Sequence, residues 1–234
     1  MKKCAIIFDL DNTLVDTYQV YYNAKLNLAK EIKRAGGSVE APERFVGKID
    51  QVDRELCRKF NKSSYDPSHL IREICKITNC QKCNIEKLTR NYQKNIKKTP
   101  KLLENAKLVL EFLKEKGAYL ILISEGPEKQ KWKTLKNNGI DKLFDRIIFV
   151  EKDKENAYIS TINELKNQGY AQIYCVGDSL EKDIAPGNAA GVSTVWIPSR
   201  WELPKNEQEY KVKPTYRISK LKDIIRIFET LSEA

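Results

Sequence analysis

The sequence predicts an α/β protein: a parallel sheet with helices on both faces and an all-helical segment inserted after the first strand. Three observations carry this prediction. Short apolar, β-rich runs alternate with amphipathic helical patterns through most of the 234 residues. One block, residues 16–97, carries helical patterns alone. Gly117, Gly139, Gly169 and Gly191 each stand just past a helical pattern, where a helix terminates in a positive-φ residue.

Taken along the chain, the first strand is Cys4–Asp9, an apolar run of the kind expected when both faces of a strand are covered. The helical block follows as Thr17–Ala35, Pro42–Phe60, Pro67–Ile77 and Ile85–Lys97, each with apolar residues three and four apart. The alternation resumes near Pro100 with a helix over Lys101–Lys116 and a strand at Tyr119–Ser124. Next come a helix at Glu128–Asn138, a strand at Ile147–Val150, a helix at Lys154–Gln168 and a strand at Gln172–Val176. A helix over Glu181–Ala190, a strand at Thr194–Ile197, a weaker strand at Thr215–Ile218 and a helix over Lys220–Leu231 complete the pattern. At roughly 150 residues per domain the chain holds one domain and a surplus, and the helical block accounts for the surplus.

Composition excludes several classes. With 41% hydrophobic and 32% charged residues the chain is neither disordered nor of low complexity. The longest apolar runs, Cys4–Phe8 and Ala118–Ile123, fall far short of the roughly 20 residues a membrane span needs. Met1-Lys2-Lys3 is followed by only a short apolar run that ends in Asp9 and Asp11, without the features of a secretory signal, so a cytoplasmic protein is expected. The net charge of +10 favours anionic partners without naming one. Lys94-x-x-Lys97-Lys98 and Lys129-x-Lys131-x-Lys133 read as solvated helix faces. No zinc-finger, RRM or KH signature accompanies them, so nucleic-acid binding is not expected.

Four short segments carry chemistry. In Phe8-Asp9-Leu10-Asp11-Asn12-Thr13 two carboxylates follow directly on the first strand, at the end where open α/β sheets place their ligands. Like charges held that close need a cation or a purpose for the strain, and a Mg²⁺ ion would answer both needs. Gly177-Asp178-Ser179 and Asp183 form a second acidic cluster after another apolar strand. Ser124 ends a third strand, and Lys152 and Lys154 follow a fourth; a hydroxyl and an ammonium are donors suited to phosphate oxygens. Asp-x-Asp-x-Thr/Ser arises by chance about 0.07 times in this length, and Gly-Asp-x₄-Asp about 0.04 times. Their joint presence is therefore informative where either alone would pass for a capped turn.

In this order the set resembles the haloacid dehalogenase (HAD) superfamily. The resemblance spans the whole chain and is most specific from Gly177 to Trp196. It implies a Rossmann-like core over residues 1–15 and 98–234, with 16–97 as a helical cap of the C1 type. It also implies a Mg²⁺-dependent phosphatase acting on a small phosphorylated metabolite. Asp9 would attack phosphorus to form an aspartyl-phosphate, and Asp11 would protonate the leaving alcohol and then activate water. Mg²⁺ would be held by the Asp9 carboxylate, the Asp11 carbonyl and Asp178, with Asp183 behind them orienting waters or the lysine. Thr13, Ser124 and one lysine would bind the phosphoryl oxygens. Counting back from Tyr158 favours Lys152, with Lys154 as the alternate. A dehalogenase needs no acid for a departing halide, so the retained Asp11 points to phosphate esters. A phosphomutase of the same architecture is the first alternative, and a non-catalytic binding module is the second.

Six cysteines are too sparse for a disulfide scaffold. Cys75, Cys80 and Cys83 lie in the helical block and admit reduced thiols, a disulfide or a bound metal. His69 is the only histidine, which excludes a His-based triad.

Overall fold

The computed structural model describes residues 3–60, 66–200 and 211–232. The chain falls into two compact units, residues 1–17 with 99–234 and residues 18–98.

The first unit is built on a six-stranded, all-parallel sheet: β1 (Cys4–Phe8), β2 (Tyr119–Glu125), β3 (Arg146–Val150), β4 (Gln172–Gly177), β5 (Ser193–Trp196) and β6 (Tyr216–Arg217). The spatial order is β3-β2-β1-β4-β5-β6. From β1 the chain builds outward first on one side and then on the other. The carboxyl ends of β1 and β4 therefore meet where the winding reverses, the ligand crevice of open α/β sheets.

Side chains of β1 alternate between two cores, as a period of two requires. Ile6 and Phe8 pack with Leu120, Leu122 and Val176 against Val109, Leu110 and Leu113 of α5 (Ala106–Glu115). Ala5 and Ile7 pack with Ile121, Ile123 and Cys175 against Tyr158, Ile162 and Leu165 of α7 (Lys154–Asn167). Full burial of each such aliphatic side chain contributes about 1.5–3 kcal/mol. The remaining helices of this unit are α6 (Glu128–Asn137), α8 (Ala185–Ala189) and α9 (Asp223–Ser232). All four predicted stop glycines adopt positive φ, from +62° to +80°.

Two helix predictions are corrected. The helix expected from Lys101 begins only at Ala106, because Asn105 takes a left-handed conformation and Leu102 instead bridges to Val15. Leu103 N–H donates to the Leu14 carbonyl at 2.8 Å, which ties this segment to the loop that follows β1. The helix expected over Glu181–Ala190 is a widened π turn, Leu180–Ile184, leading into the short α8.

The second unit holds α1 (Thr17–Arg34, from Tyr18 onward), α2 (Pro42–Lys59), α3 (Pro67–Ile77) and α4 (Ile85–Ile96). Its core includes Leu28, Ile32, Ile49, Leu70, Ile71, Ile74 and Leu88. Buried Lys25 pairs with Asp50 at 2.5 Å and Asp53 at 2.8 Å. Burial alone would depress its ammonium, but the two carboxylates outweigh burial and raise it above the ordinary lysine value. Of the three cysteine states left open above, the structure shows a Cys80–Cys83 disulfide with Cα atoms 5.4 Å apart. Cys75 is a buried free thiol. Among the described residues no helix is long and apolar enough to cross a membrane.

Candidate active site

Asp9 follows β1 without a break, and its N–H donates to the Val176 carbonyl at 2.9 Å, so the strand pairing itself fixes the backbone at this position. The Asp9 side chain is 5% exposed and receives Lys154 Nζ on Oδ1 at 2.5 Å. Its other oxygen, Oδ2, is buried without a hydrogen bond. Burial pushes the Asp9 carboxyl up to about 6 against the downward pull of Lys154, while Asp183 and Asp11 add to the rise.

Asp178 follows β4 directly, and burial, then the charges of Asp9 and Asp183, push its carboxyl up to about 8. Asp183 is fully buried, accepts from Ser179 N–H at 3.0 Å and pairs with Lys154 at 2.6 Å. Two local features bring it in. The π turn places Ile184 N–H on the Ser179 carbonyl, five residues back, with Asp183 N–H on the same oxygen, and Gly177 has no side chain where a Cβ would overlap the Asp183 carboxyl. One oxygen from each of Asp9, Asp178 and Asp183 lies within 4.8 Å of the others. Hard oxygen donors, an orphaned buried carboxylate oxygen and two carboxyls that resist ionisation fit a divalent cation such as Mg²⁺. Asp183, expected behind the acidic group, belongs to it.

Lys154, and not Lys152, reaches these carboxylates. Asp153 takes a left-handed conformation (φ 62°, ψ 50°) as the N-cap of α7, which turns Lys154 inward and leaves Lys152 exposed. Burial alone would depress the Lys154 ammonium; Asp9 and Asp183 reverse this and hold it above the ordinary lysine value. Lys154, the alternate in the sequence reading, is thus the lysine at the acidic cluster, and the count back from Tyr158 that favoured Lys152 takes no account of the positive-φ turn at Asp153. Thr13 and Ser124 are both fully buried, and among the described residues their hydroxyls have no hydrogen-bond partner.

The Asp11 carboxylate lies outside the acidic cluster. Thr17 Oγ1 donates to its Oδ1 at 2.6 Å, and Lys131 of α6 is ion-paired with its Oδ2. The sequence pattern predicts a solvated Lys131, but its ammonium is turned inward. Glu125, at the end of β2, pairs with Lys182 of the π turn at 2.7 Å.

The profile of the family described as haloacid dehalogenase-like hydrolase matches residues 6–197, a span that includes every side chain just described. The chain belongs to the haloacid dehalogenase-like hydrolases. Its similarity to other members of this family runs end to end. A glyceraldehyde 3-phosphate phosphatase of Methanocaldococcus jannaschii is 24% identical over 97% of this chain and 98% of its own. A phosphoglycolate phosphatase of Aquifex aeolicus is 24% identical over 96% of each chain. Among solved structures, YfnB of Bacillus subtilis, crystallised with magnesium, superposes with a TM-score of 0.67 at 20% identity, over 98% of this chain and 100% of that one. That likeness shows a common fold.

Proposed function

We propose that this haloacid dehalogenase-like hydrolase is a Mg²⁺-dependent phosphoric monoester hydrolase that acts on a small phosphorylated metabolite through an aspartyl-phosphate on Asp9. The observation that carries the reading is the separation of two carboxylates that are two residues apart in sequence. Asp9 lies in the buried acidic cluster against Lys154, whereas Asp11 lies outside it on Thr17 and Lys131. That separation supports Asp9 as nucleophile and Asp11 as proton carrier, a division of labour set by surroundings.

In the first step an Asp9 carboxylate oxygen bonds to phosphorus, the ester P–O bond breaks with its electrons going to the leaving oxygen, and Asp11 supplies the proton. In the second, Asp11 takes a proton from water as the water attacks phosphorus and frees Asp9. Lys154, with the hydroxyls of Thr13 and Ser124, would take the phosphoryl oxygens; both hydroxyls are buried and unengaged. Asp9, Asp178 and the Asp11 carbonyl would hold Mg²⁺, with Asp183 beside them. When bound, the ion neutralises charge on the phosphoryl group and the carboxylates. The helical unit, residues 18–98, would be the cap of this architecture.

The glyceraldehyde 3-phosphate and phosphoglycolate phosphatases among the relatives support a small phosphate ester as substrate. A screen of phosphorylated metabolites with Mg²⁺ and with EDTA tests the reading, using Asp9→Asn as control. Phosphate release should need both Mg²⁺ and Asp9. Appreciable Mg²⁺-dependent turnover by a folded Asp9→Asn protein would overturn the mechanism.

A further inference from the structure

Helix α6 carries four lysines, and they are not equivalent. Lys129, Lys133 and Lys136 are exposed along the helix. Lys131 is turned inward, with 12% of its side chain exposed and its ammonium on Asp11 Oδ2. Its stem passes over Gly126, where a Cβ would lie 3.1 Å from Lys131 Cε and 3.6 Å from Nζ. Glycine at that position keeps the path open. Ordering a lysine side chain costs rotamer freedom that a partly exposed ion pair does little to offset. Stability by itself therefore does not account for the inward rotamer.

We propose that Lys131 is a positioning residue for Asp11, an inference that rests on the phosphatase reading above. A carboxyl group turns freely about its terminal torsion, which has only a broad, two-fold preference. Asp11 lacks the burial that holds Asp9, so its orientation is set by its partners. Thr17 fixes Oδ1 and Lys131 fixes Oδ2, and two donors on two oxygens define the plane of the group. In the reaction Asp11 hands its proton to the leaving oxygen as the ester bond breaks. Proton transfer demands that alignment, and a misplacement of about 1 Å costs on the order of 10²-fold.

The test uses the leaving group as its probe. An alkoxide needs a proton as it departs, whereas p-nitrophenolate leaves without one. kcat/KM, which reports the steps through the first phosphoryl transfer, is measured for p-nitrophenyl phosphate and for the best alkyl phosphate from a metabolite screen. Wild type, Asp11→Asn, Lys131→Met, Lys131→Gln and Lys131→Arg are compared, each checked for cooperative thermal unfolding. Lys131→Met and Lys131→Gln should lose about 10²-fold on the alkyl ester and change by less than about threefold on p-nitrophenyl phosphate. Lys131→Arg should recover most of the loss. Equal losses on both substrates, or none on either, would overturn the positioning role. If Asp11→Asn itself shows no dependence on the leaving group, the assignment of Asp11 as acid falls and the role of Lys131 falls with it. If wild type hydrolyses neither class of ester, the phosphatase reading fails first.

Discussion

Lys154 Nζ lies 2.5 Å from Asp9 Oδ1, in a contact that joins the first helical residue of α7 to the residue just past β1 across 145 positions of sequence. The same ammonium reaches Asp183 at 2.6 Å, so one buried cation serves two buried carboxylates. Removing it leaves both charges uncompensated, and breaking a buried pair costs about 3–5 kcal/mol. Lys154→Ala should lower thermal stability accordingly and cut turnover by about 10²–10³-fold, the usual cost of deleting a donor aimed at developing charge. Lys152→Ala removes an exposed side chain and should stay within about 0.5 kcal/mol of wild type. A reversed ranking in steady-state assays would restore Lys152 as the phosphate ligand.

Gly177 is required by the close passage of Asp183. A Cβ on Gly177 would overlap the Asp183 side chain, which is fully buried. Gly177→Ala should destabilise the protein by about 1–3 kcal/mol. It should also weaken Mg²⁺ binding, because Asp183 must leave the acidic cluster to make space. Thermal unfolding followed by calorimetric Mg²⁺ titration reads both effects, and unchanged Mg²⁺ affinity would show that Asp183 lies outside the metal's reach.

The carboxyls of Asp9 and Asp178, raised by burial to about 6 and about 8, set a pH dependence for the metal-free protein. Both lie above the ordinary aspartate value of 3.8, so in the intervening range the folded state binds more protons than the unfolded state. These two groups therefore contribute stability that is lost as pH rises from about 4 to about 8. Mg²⁺ competes with those same protons. The rise in Tm on adding saturating Mg²⁺ should be small at pH 5 and large at pH 8. Equal rises at the two pH values would show that these carboxyls do not hold the metal.

Cys80 and Cys83 are paired, and Cys4, Cys57, Cys75 and Cys175 are free. Thiol counting on unreduced, denatured protein should return four. The bridge closes a loop with a sequence separation of only 3, and loop-closure entropy grows with loop length. Reduction should accordingly shift Tm by only a few degrees. A count of six thiols would disprove the pairing.

Much of the fold was legible because strands and helices impose short periods. The apolar run Cys4–Phe8 had to be covered on two faces, and Ile6 and Phe8 do enter a different core from Ala5 and Ile7. Asp9 and Asp178 were equally legible, since each stands one residue beyond a strand whose pairing fixes its position. Helix starts were harder to read. Nothing in the periodicity of 101–116 reveals that Leu102 would bridge to Val15, and Asn105 in a left-handed conformation delays the helix.

Local pattern alone thus specified an α/β chain with an interrupting helical block and carboxylates at strand ends, because such features depend on residues a few positions apart. The choice of Lys154 over Lys152, the entry of Asp183 into the acidic cluster and the inward turn of Lys131 required the folded chain. Lys154 turns inward through the single positive φ of Asp153, and Asp183 enters through a π turn against a bare glycine. Lys131 meets Asp11 across 120 residues of sequence. Contacts of that range are decided by which side chains the sheet order brings together, and no periodicity along the chain encodes them.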